Sequence, residues 1–301
     1  MLKLFIYDFL GKEKDLRRTM AKILISTDST CDLSKEILSE RGIKQTSLHV
    51  LLGTKEYSDG IDIVPDDIFK YVKETGVLPK TSAYTIMDYQ KFFFDNLKEY
   101  DYIIHFTISS DLSSTYSNAV LASQEFEGRV KVIDSRNLST GQGLLVLKAC
   151  DLKEEGKSFD EIVQVMEEER FHVQTSFVVD TVEYLYKGGR CSGAARLASN
   201  LFKIHPSIDM VEGKLVPKKN YRGTLKKCIE KYVLDLVEEY KSYDDTRVFI
   251  THASASDDVV SLIKEVVSKN FSFKEIIVTV AGSVVTSHCG QGTLGVLFIK
   301  K

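Results

Sequence analysis

Small hydroxyl side chains are concentrated in four polar segments that each follow an apolar run. Such hydroxyls can donate hydrogen bonds to an anion. Ligands of open parallel sheets sit at the carboxyl ends of the strands, so segments of this kind can meet around one ligand. Taken singly, each segment is better explained by turn and helix-cap chemistry. The segments are TDST (27–30), PKTSAYT (79–85), ISSDLSSTY (108–116) and VVTSHCGQG (284–292).

The segment ISSDLSSTY is the most specific of the four. Ser113 stands at the start of a predicted helix, STYSNAVLAS. The first backbone N–H groups of a helix are unpaired, and the helix dipole is positive at this end. The Ser113 hydroxyl and these N–H groups therefore predict an anion site.

His288 precedes three glycines whose spacing fits the dinucleotide fingerprint GxGxxG: Gly290, Gly292 and Gly295. That fingerprint requires a helix after the turn, but only VLFIKK follows, which reads as a last strand. A dinucleotide site is therefore rejected. His288 could be a metal ligand, a general base or a donor to an anion. It belongs to no HExxH pattern and has no second ligand nearby, so a donor role suits it best. The alternative is a surface histidine, or a structural one whose hydrogen bonds are made within the protein, in a glycine turn.

Motifs typical of enzymes are incomplete or absent elsewhere in the sequence. The stretch GRCSG (189–193) resembles a nucleophile elbow, but its serine is one place late for GxSxG and no strand leads into it. The sequence has no Walker motif GxxxxGK[ST] and no clustered acidic metal site. A small-molecule phosphotransferase or hydrolase that uses Ser113 and His288 is kept as the rival hypothesis.

The composition argues against several classes of partner. The chain has 301 residues, of which 43% are hydrophobic, and a formal charge of −3. Its charges are mixed in sign, so the sequence shows no basic patch that would bind nucleic acid or a membrane surface. No apolar run is long enough to span a bilayer. The five cysteines form no CxxC pair, which argues against a disulfide framework and a zinc site. We expect a cytoplasmic protein with a small ligand and no metal or cofactor.

Apolar strand-like runs alternate with helical patterns along the first half of the chain. This order predicts a mainly parallel sheet covered by helices. Ser158 and Glu161 form a capping box for a helix that runs to about Arg170, after which the strand pattern restarts. We predict a tail at 1–21, an N-terminal α/β domain at 22–170 and a C-terminal α/β domain at 171–301.

Several motifs stand in a fixed order: TDST, the TS pair, ISSDLSSTY, VIDS, GGR and HxGxG. Together they resemble the DegV family of bacterial lipid-binding proteins, from about Lys22 to the end. The resemblance implies two α/β domains with a long-chain fatty acid, such as palmitate, buried at the domain junction. It further implies a non-catalytic subunit, with a role in lipid transport or fatty acid metabolism, that presents the carboxylate to a separate ATP-using fatty acid kinase.

The resemblance also implies roles for individual residues. Thr81 and Ser113 are expected to touch the carboxylate, with Ser82, Ser109 and His288 close behind. The sequence departs from the common family pattern at Ser114, where many relatives have glycine, at Tyr84, and at the Gly-Gln-Gly that follows the histidine.

Two arginines lie in or beside the stretch KGGRCSGAAR, a basic turn that leads into a predicted helix. Arg190 and Arg196 are expected to dock the kinase rather than the lipid. An ordinary solvated helix start is the alternative.

Overall fold

The computed structural model describes residues 21–191, 193 and 204–301. The predicted tail and the predicted helix SGAARLASNLF therefore lie almost wholly outside the described residues. The described strands are β1 (Ile23–Asp28), β2 (Lys44–Thr46), β3 (His49–Leu52), β4 (Lys55–Ser58), β5 (Lys80–Ser82), β6 (Tyr102–Thr107), β7 (Val130–Asp134), β8 (Val173–Gln174), β9 (Ser176–Val178), β10 (Ile204–Val211), β11 (Lys214–Arg222), β12 (Arg247–His252), β13 (Glu275–Val280) and β14 (Leu294–Ile299). The described helices are α1 (Lys35–Glu40), α2 (Pro65–Thr75), α3 (Ile86–Asn96), α4 (Thr115–Ser123), α5 (Thr140–Glu154), α6 (Phe159–Glu169), α7 (Glu183–Gly188), α8 (Leu225–Glu239), α9 (Asp257–Asn270) and α10 (Ser283–Cys289).

The first sheet has the strand order β2-β1-β6-β7, and all its strands are parallel. Its central strands, β1 (ILISTD) and β6 (YIIHFT), are buried along nearly their whole length, as expected for a parallel sheet with both faces covered. Helices cover both faces: α5 and α6 pack on one side, and α3 and α4 pack on the other through Tyr89, Phe93 and Ala119. The predicted parallel sheet covered by helices is confirmed.

The second sheet is formed by the strands that follow α6. Its order is β11-β10-β9-β14-β12-β13, and β8 also pairs with β14. Only β12 and β13 run parallel, and the other neighbours are antiparallel. Strands β10 and β11 form a hairpin at MVEGKLVP (210–217): Glu212 and Gly213 turn the chain with φ values of 49° and 83°, as tight hairpins require. Helices α8 and α9 pack against this sheet.

Helix α5 lies between the two sheets. Its Leu145 belongs to one apolar cluster with Ile25 and Ile104 of the first sheet and with Phe249 and Leu297 of the second. The two halves of the chain therefore share a core. The capping box at Ser158 is confirmed at the start of α6, whereas the division into domains near Arg170 stays a prediction.

A small antiparallel sheet, β4-β3-β5, lies beside helix α10. Helix α2 also contacts α10 and begins at Pro65, a residue that suits the first position of a helix. No helix in the described part of the chain is long and apolar enough to cross a membrane.

Candidate functional site

Helix α10 carries His288 in its last turn. The helix begins where the Gly282 N–H donates to Asp32 Oδ1 at 2.8 Å and the Ser283 N–H donates to Asp59 Oδ1 at 2.7 Å. The sequence predicts a polar loop at this position, and that prediction is wrong. These two side-chain acceptors satisfy the first helical N–H groups, so the segment forms a short helix.

Thr81 lies on β5, where it is opposite Val50 of β3. Its Oγ1 is 2.9 Å from His288 Nε2, across 207 positions of sequence. This hydrogen bond joins the small sheet to α10. It brings together two of the residues that the sequence predicts to be at the site.

Ser113 lies in the loop between β6 and α4. Helix α4 begins at Thr115, directly after Ser113 and Ser114. The Ser113 Oγ accepts the Thr115 N–H at 3.2 Å and lies 2.8 Å from Thr115 Oγ1. Ser114 precedes the helix and makes no side-chain capping bond.

These residues border one cavity of about 320 Å³, here called the main cavity. Its polar lining residues are Thr81, Ser82, Ser113, Ser114, Arg190 and His288. The other lining residues, apart from Cys289, are apolar: Leu48, Ala83, Ile108, Leu112, Leu138, Phe177, Leu185, Leu215, Val284 and Val285. They come from both sides of Arg170, so the cavity lies between the two halves of the chain. Four of the five predicted site residues line it.

Ser109 is the predicted residue that does not line the main cavity. Its side chain is fully buried, and its Oγ donates to the Gly213 carbonyl at 2.7 Å. This bond ties the loop after β6 to the hairpin between β10 and β11. The structure thus places the Ser109 hydroxyl in a contact between the two halves, and its role as a carboxylate ligand stays a prediction.

Arg190 lines the main cavity, whereas the sequence predicts that it meets a partner rather than the lipid. Its Nη1 donates to the Gly188 carbonyl at 2.6 Å. Burial, and then the positive charge of Arg190, lower the pKa of His288 to about 4. The imidazole is therefore neutral near pH 7. Arg196 lies outside the described residues.

A second cavity of about 30 Å³ shares four lining residues with the main cavity: Leu138, Phe177, Val285 and Cys289. It extends the apolar lining towards Gly295 and Leu297 of β14. Sequence patterns missed this lining and the cavity position of Arg190, because side chains from distant strands meet only in the folded chain. Ser114 could have been found, since it adjoins Ser113 in the same motif.

The arrangement around His288 suits hydrogen bonding better than acid–base catalysis. A general base in a catalytic triad is oriented by a carboxylate on its second ring nitrogen. His288 Nδ1 is buried and has no hydrogen-bond partner in the described part of the chain. Ser113 is bonded to Thr115 and not to the imidazole. Among the described residues, no group of three or more His, Cys, Asp or Glu could hold a metal ion.

Two sheets covered by helices, with a mainly apolar cavity between the two halves of the chain, define an α/β protein. Sequence comparison gives the family. Residues 22–301 match the model of the DegV family. A DegV domain-containing protein of Clostridium acetobutylicum is 36% identical, and the match covers 94% of this chain and all (100%) of that relative. The chain therefore belongs to the DegV family.

Solved structures of the family have the same fold. A DegV family protein from Thermus thermophilus, described for its fatty acid binding, has a TM-score of 0.85 at 33% identity; the match covers 93% of this chain and 100% of that one. DegV from Bacillus subtilis, described as a fatty acid binding protein, has a TM-score of 0.82 at 28% identity over the same shares, 93% and 100%.

Proposed function

We propose that this protein binds a long-chain fatty acid, such as palmitate, in the main cavity and presents its carboxylate to a separate ATP-using kinase. The observation that carries the proposal is one cavity that combines hydroxyl donors with a mainly apolar lining. The relatives described as fatty acid binding support the same ligand class. In this proposal Thr81 and Ser113 meet the carboxylate, and the tail lies along the apolar side chains.

The energetics assign different tasks to the two ends of the ligand. Each buried methylene contributes about 0.8 kcal/mol, so a tail with about fourteen of them contributes roughly 11 kcal/mol before the costs of ordering. A hydrogen bond to the charged head group adds only about 1.5 to 3 kcal/mol. The tail therefore sets the affinity, and the hydroxyl groups set the orientation of the carboxylate.

The rival hypothesis of an independent phosphotransferase or hydrolase is less well supported by the geometry. Ser113 and His288 both line the main cavity, but each is bonded to a different threonine. A serine nucleophile needs its base within hydrogen-bond reach. A non-catalytic binding subunit, with the chemistry supplied by the kinase, requires no such pair. The buried thiols of Cys31, Cys150, Cys228 and Cys289 support a reducing, cytoplasmic location.

The kinase is proposed to dock where Arg190 reaches the surface. The charge reversal Arg190→Glu should reduce kinase-dependent turnover while the amount of bound lipid stays constant. Lys187→Glu is the matched control, because Lys187 lies on the preceding turn and pairs with Glu183. Loss of lipid from the Arg190 variant would instead assign this side chain to the ligand.

The ligand can be tested directly. Mass spectrometry of a gentle organic extract of the purified protein should find a fatty acid in near-stoichiometric amount. Val285→Phe, which narrows both cavities, should lower this amount. The same change at Val278 on β13, a half-exposed position outside both cavities, should leave it unaltered. A protein without lipid, which also fails to bind added palmitate, would refute the proposal.

A further inference from the structure

Helices α7 and α10 pack against each other through a glycine on each side. A Cβ at Gly188 of α7 would lie 2.5 Å from His288 Nδ1, and a Cβ at Gly290 would lie 2.8 Å from the ring of Tyr184. Neither position has room for a methyl group, since real Cβ atoms do not come within 3.0 Å of a neighbour. The imidazole is thus held between Gly188 on one side and Thr81 on the other.

The two ring nitrogens of His288 have unlike surroundings. Nε2 faces a hydroxyl at 2.9 Å, whereas Nδ1 faces the Gly188 backbone and has no hydrogen-bond partner among the described residues. The imidazole is neutral, because its pKa is lowered to about 4, and so it carries one N–H. A buried N–H without a partner costs about 1 to 3 kcal/mol. Buried N–H groups are left unpaired less often than acceptors are.

The proton therefore belongs on Nε2. An Nε2–H donates to Thr81 Oγ1, and the Thr81 hydroxyl then keeps its own hydrogen for a further bond. Thr81 lines the main cavity, so that hydrogen can point to a ligand. With the proton on Nδ1, Thr81 would donate to Nε2 and would offer the ligand only an acceptor.

We propose that Gly188 is a positioning residue that holds His288 as the Nε2–H tautomer, and that Thr81 is thereby oriented as a hydrogen-bond donor to an acceptor-only head group, an ionised carboxylate. This inference rests on the proposed function and deepens it. It explains a helical glycine at a position where alanine would ordinarily stabilise the helix.

The tautomer can be measured without any ligand assay. In a long-range ¹H–¹⁵N NMR spectrum of the purified protein, the His288 signals are assigned by their absence from His288→Ala. We expect the Nε2 shift to be that of a protonated nitrogen and the Nδ1 shift that of an unprotonated one. The opposite pattern, or a doubly protonated ring at pH 7, overturns the inference. This readout stands even if the ligand is not a fatty acid.

The role of Gly188 can be tested by suppression. Gly188→Ala should displace the imidazole, change its ¹⁵N shifts and weaken palmitate binding by about tenfold, the loss of one good hydrogen bond. In the double variant with His288→Ala the clash is gone, so its affinity should equal that of His288→Ala alone, with no further loss from Gly188→Ala. An affinity of the double variant below that of His288→Ala would show damage to α7 and refute action through the imidazole.

The matched control is Gly189, the next residue. Its φ is +69°, and nothing lies within 4 Å of the position of a Cβ. Gly189→Ala should therefore cost stability through backbone strain alone. The His288→Ala change should not suppress this effect. If it does, suppression is not specific to the contact between Gly188 and the imidazole, and the inference fails.

Discussion

Asp32 accepts a hydrogen bond at 2.5 Å from the Ser139 hydroxyl, and both residues have a positive φ, of 51° and 54° respectively. Such conformations cost non-glycine residues roughly 1 to 3 kcal/mol and persist only where surrounding contacts hold them. Here the second oxygen of Asp32 accepts the N–H of Gly282 at the start of α10. The contact between Asp32 and Ser139 thus supports the helix that carries His288.

The stability contribution of Asp32 should depend on pH. Burial raises the pKa of Asp32 to about 8, whereas an aspartate in the unfolded chain ionises near about 4. Between these values the folded protein holds one proton more than the unfolded chain. The free energy of unfolding therefore falls as the pH rises through this window, by up to about 1.4 kcal/mol per pH unit. Asp32→Asn removes this loss and should gain stability relative to the parent as the pH rises.

Urea unfolding of both proteins at about pH 5 and about pH 7.5 measures this difference. Asp95→Asn is the control, because hydrogen bonds from Lys91 and Lys98 lower the pKa of the exposed Asp95 to about 2. That residue is ionised in both states over the whole range, so the difference from the parent should stay flat. Parallel profiles of the parent and Asp32→Asn would contradict the prediction.

Removing the hydroxyls of the main cavity should weaken head-group binding and leave the fold intact. Thr81→Val and Ser113→Ala together are expected to lower palmitate affinity by about a hundredfold or more, because each of the two hydrogen bonds to the carboxylate contributes about 1.5 to 3 kcal/mol. Ser109→Ala should instead affect stability and not affinity. Its buried hydroxyl donates to Gly213, so its loss should lower the free energy of unfolding and leave affinity nearly unchanged.

Titration calorimetry and urea unfolding of the double variant and of Ser109→Ala separate the two effects. Parental affinity in the variant that lacks both hydroxyls would remove Thr81 and Ser113 from the head-group site. A loss of affinity in Ser109→Ala at unchanged stability would place Ser109 at the ligand, as the sequence predicts.

The parts of the fold that could be predicted from sequence are those fixed by local chemistry. The capping box of Ser158 and Glu161 fixed the start of α6, and the Glu212–Gly213 turn fixed the hairpin. Helix α10 was missed because the acceptors of its first N–H groups, Asp32 and Asp59, are distant in sequence. A local sequence pattern cannot predict hydrogen-bond partners that are distant in the chain.

The candidate site likewise contains residues that short motifs reveal and contacts that only the folded chain shows. Thr81 and Ser113 stand in short hydroxyl-rich motifs, so their residue types alone pointed to an anion. The contact of Gly188 with His288 joins two helices 100 positions apart in the numbering. A glycine in sequence shows only that a side chain is absent, and the structure shows which atom would have met it.

Arg190 should contribute to the low pKa of His288. Its positive charge adds to burial in lowering the pKa of the imidazole to about 4. Arg190→Gln removes that charge, so the pKa of His288 should rise towards its ordinary value, although burial should still hold it below that value. A pH titration followed by NMR measures the change. Lys187→Gln, which removes an exposed charge paired with Glu183, should leave the titration as in the parent. An unchanged pKa in Arg190→Gln would show that burial alone sets it.

Under the proposed function, His288 should matter more for phosphoryl transfer to the fatty acid than for retention of the lipid. Its Nε2 lies 2.9 Å from Thr81 Oγ1, and in the proposed complex the buried tail supplies most of the binding energy. His288→Ala should therefore copurify with a near-normal amount of fatty acid. Transfer is more sensitive to geometry, because a carboxylate oxygen must be aligned with the phosphoryl group as charge develops on it. Without the imidazole the Thr81 hydroxyl loses its orientation. We expect acyl phosphate formation with the cognate kinase to fall at least about tenfold, equivalent to about 1.4 kcal/mol in the barrier.

His288→Gln is the conservative variant, since its amide can still donate a hydrogen bond towards Thr81. It should recover part of the turnover that the alanine variant loses. If the histidine were merely structural, turnover in His288→Gln would not exceed turnover in His288→Ala. The measurements are acyl phosphate formed per bound chain and lipid content by mass spectrometry. Unchanged turnover in His288→Ala would reduce His288 to a structural role. Lost lipid with normal turnover per bound chain would make it a binding residue, because the imidazole would then act on the ligand before transfer begins.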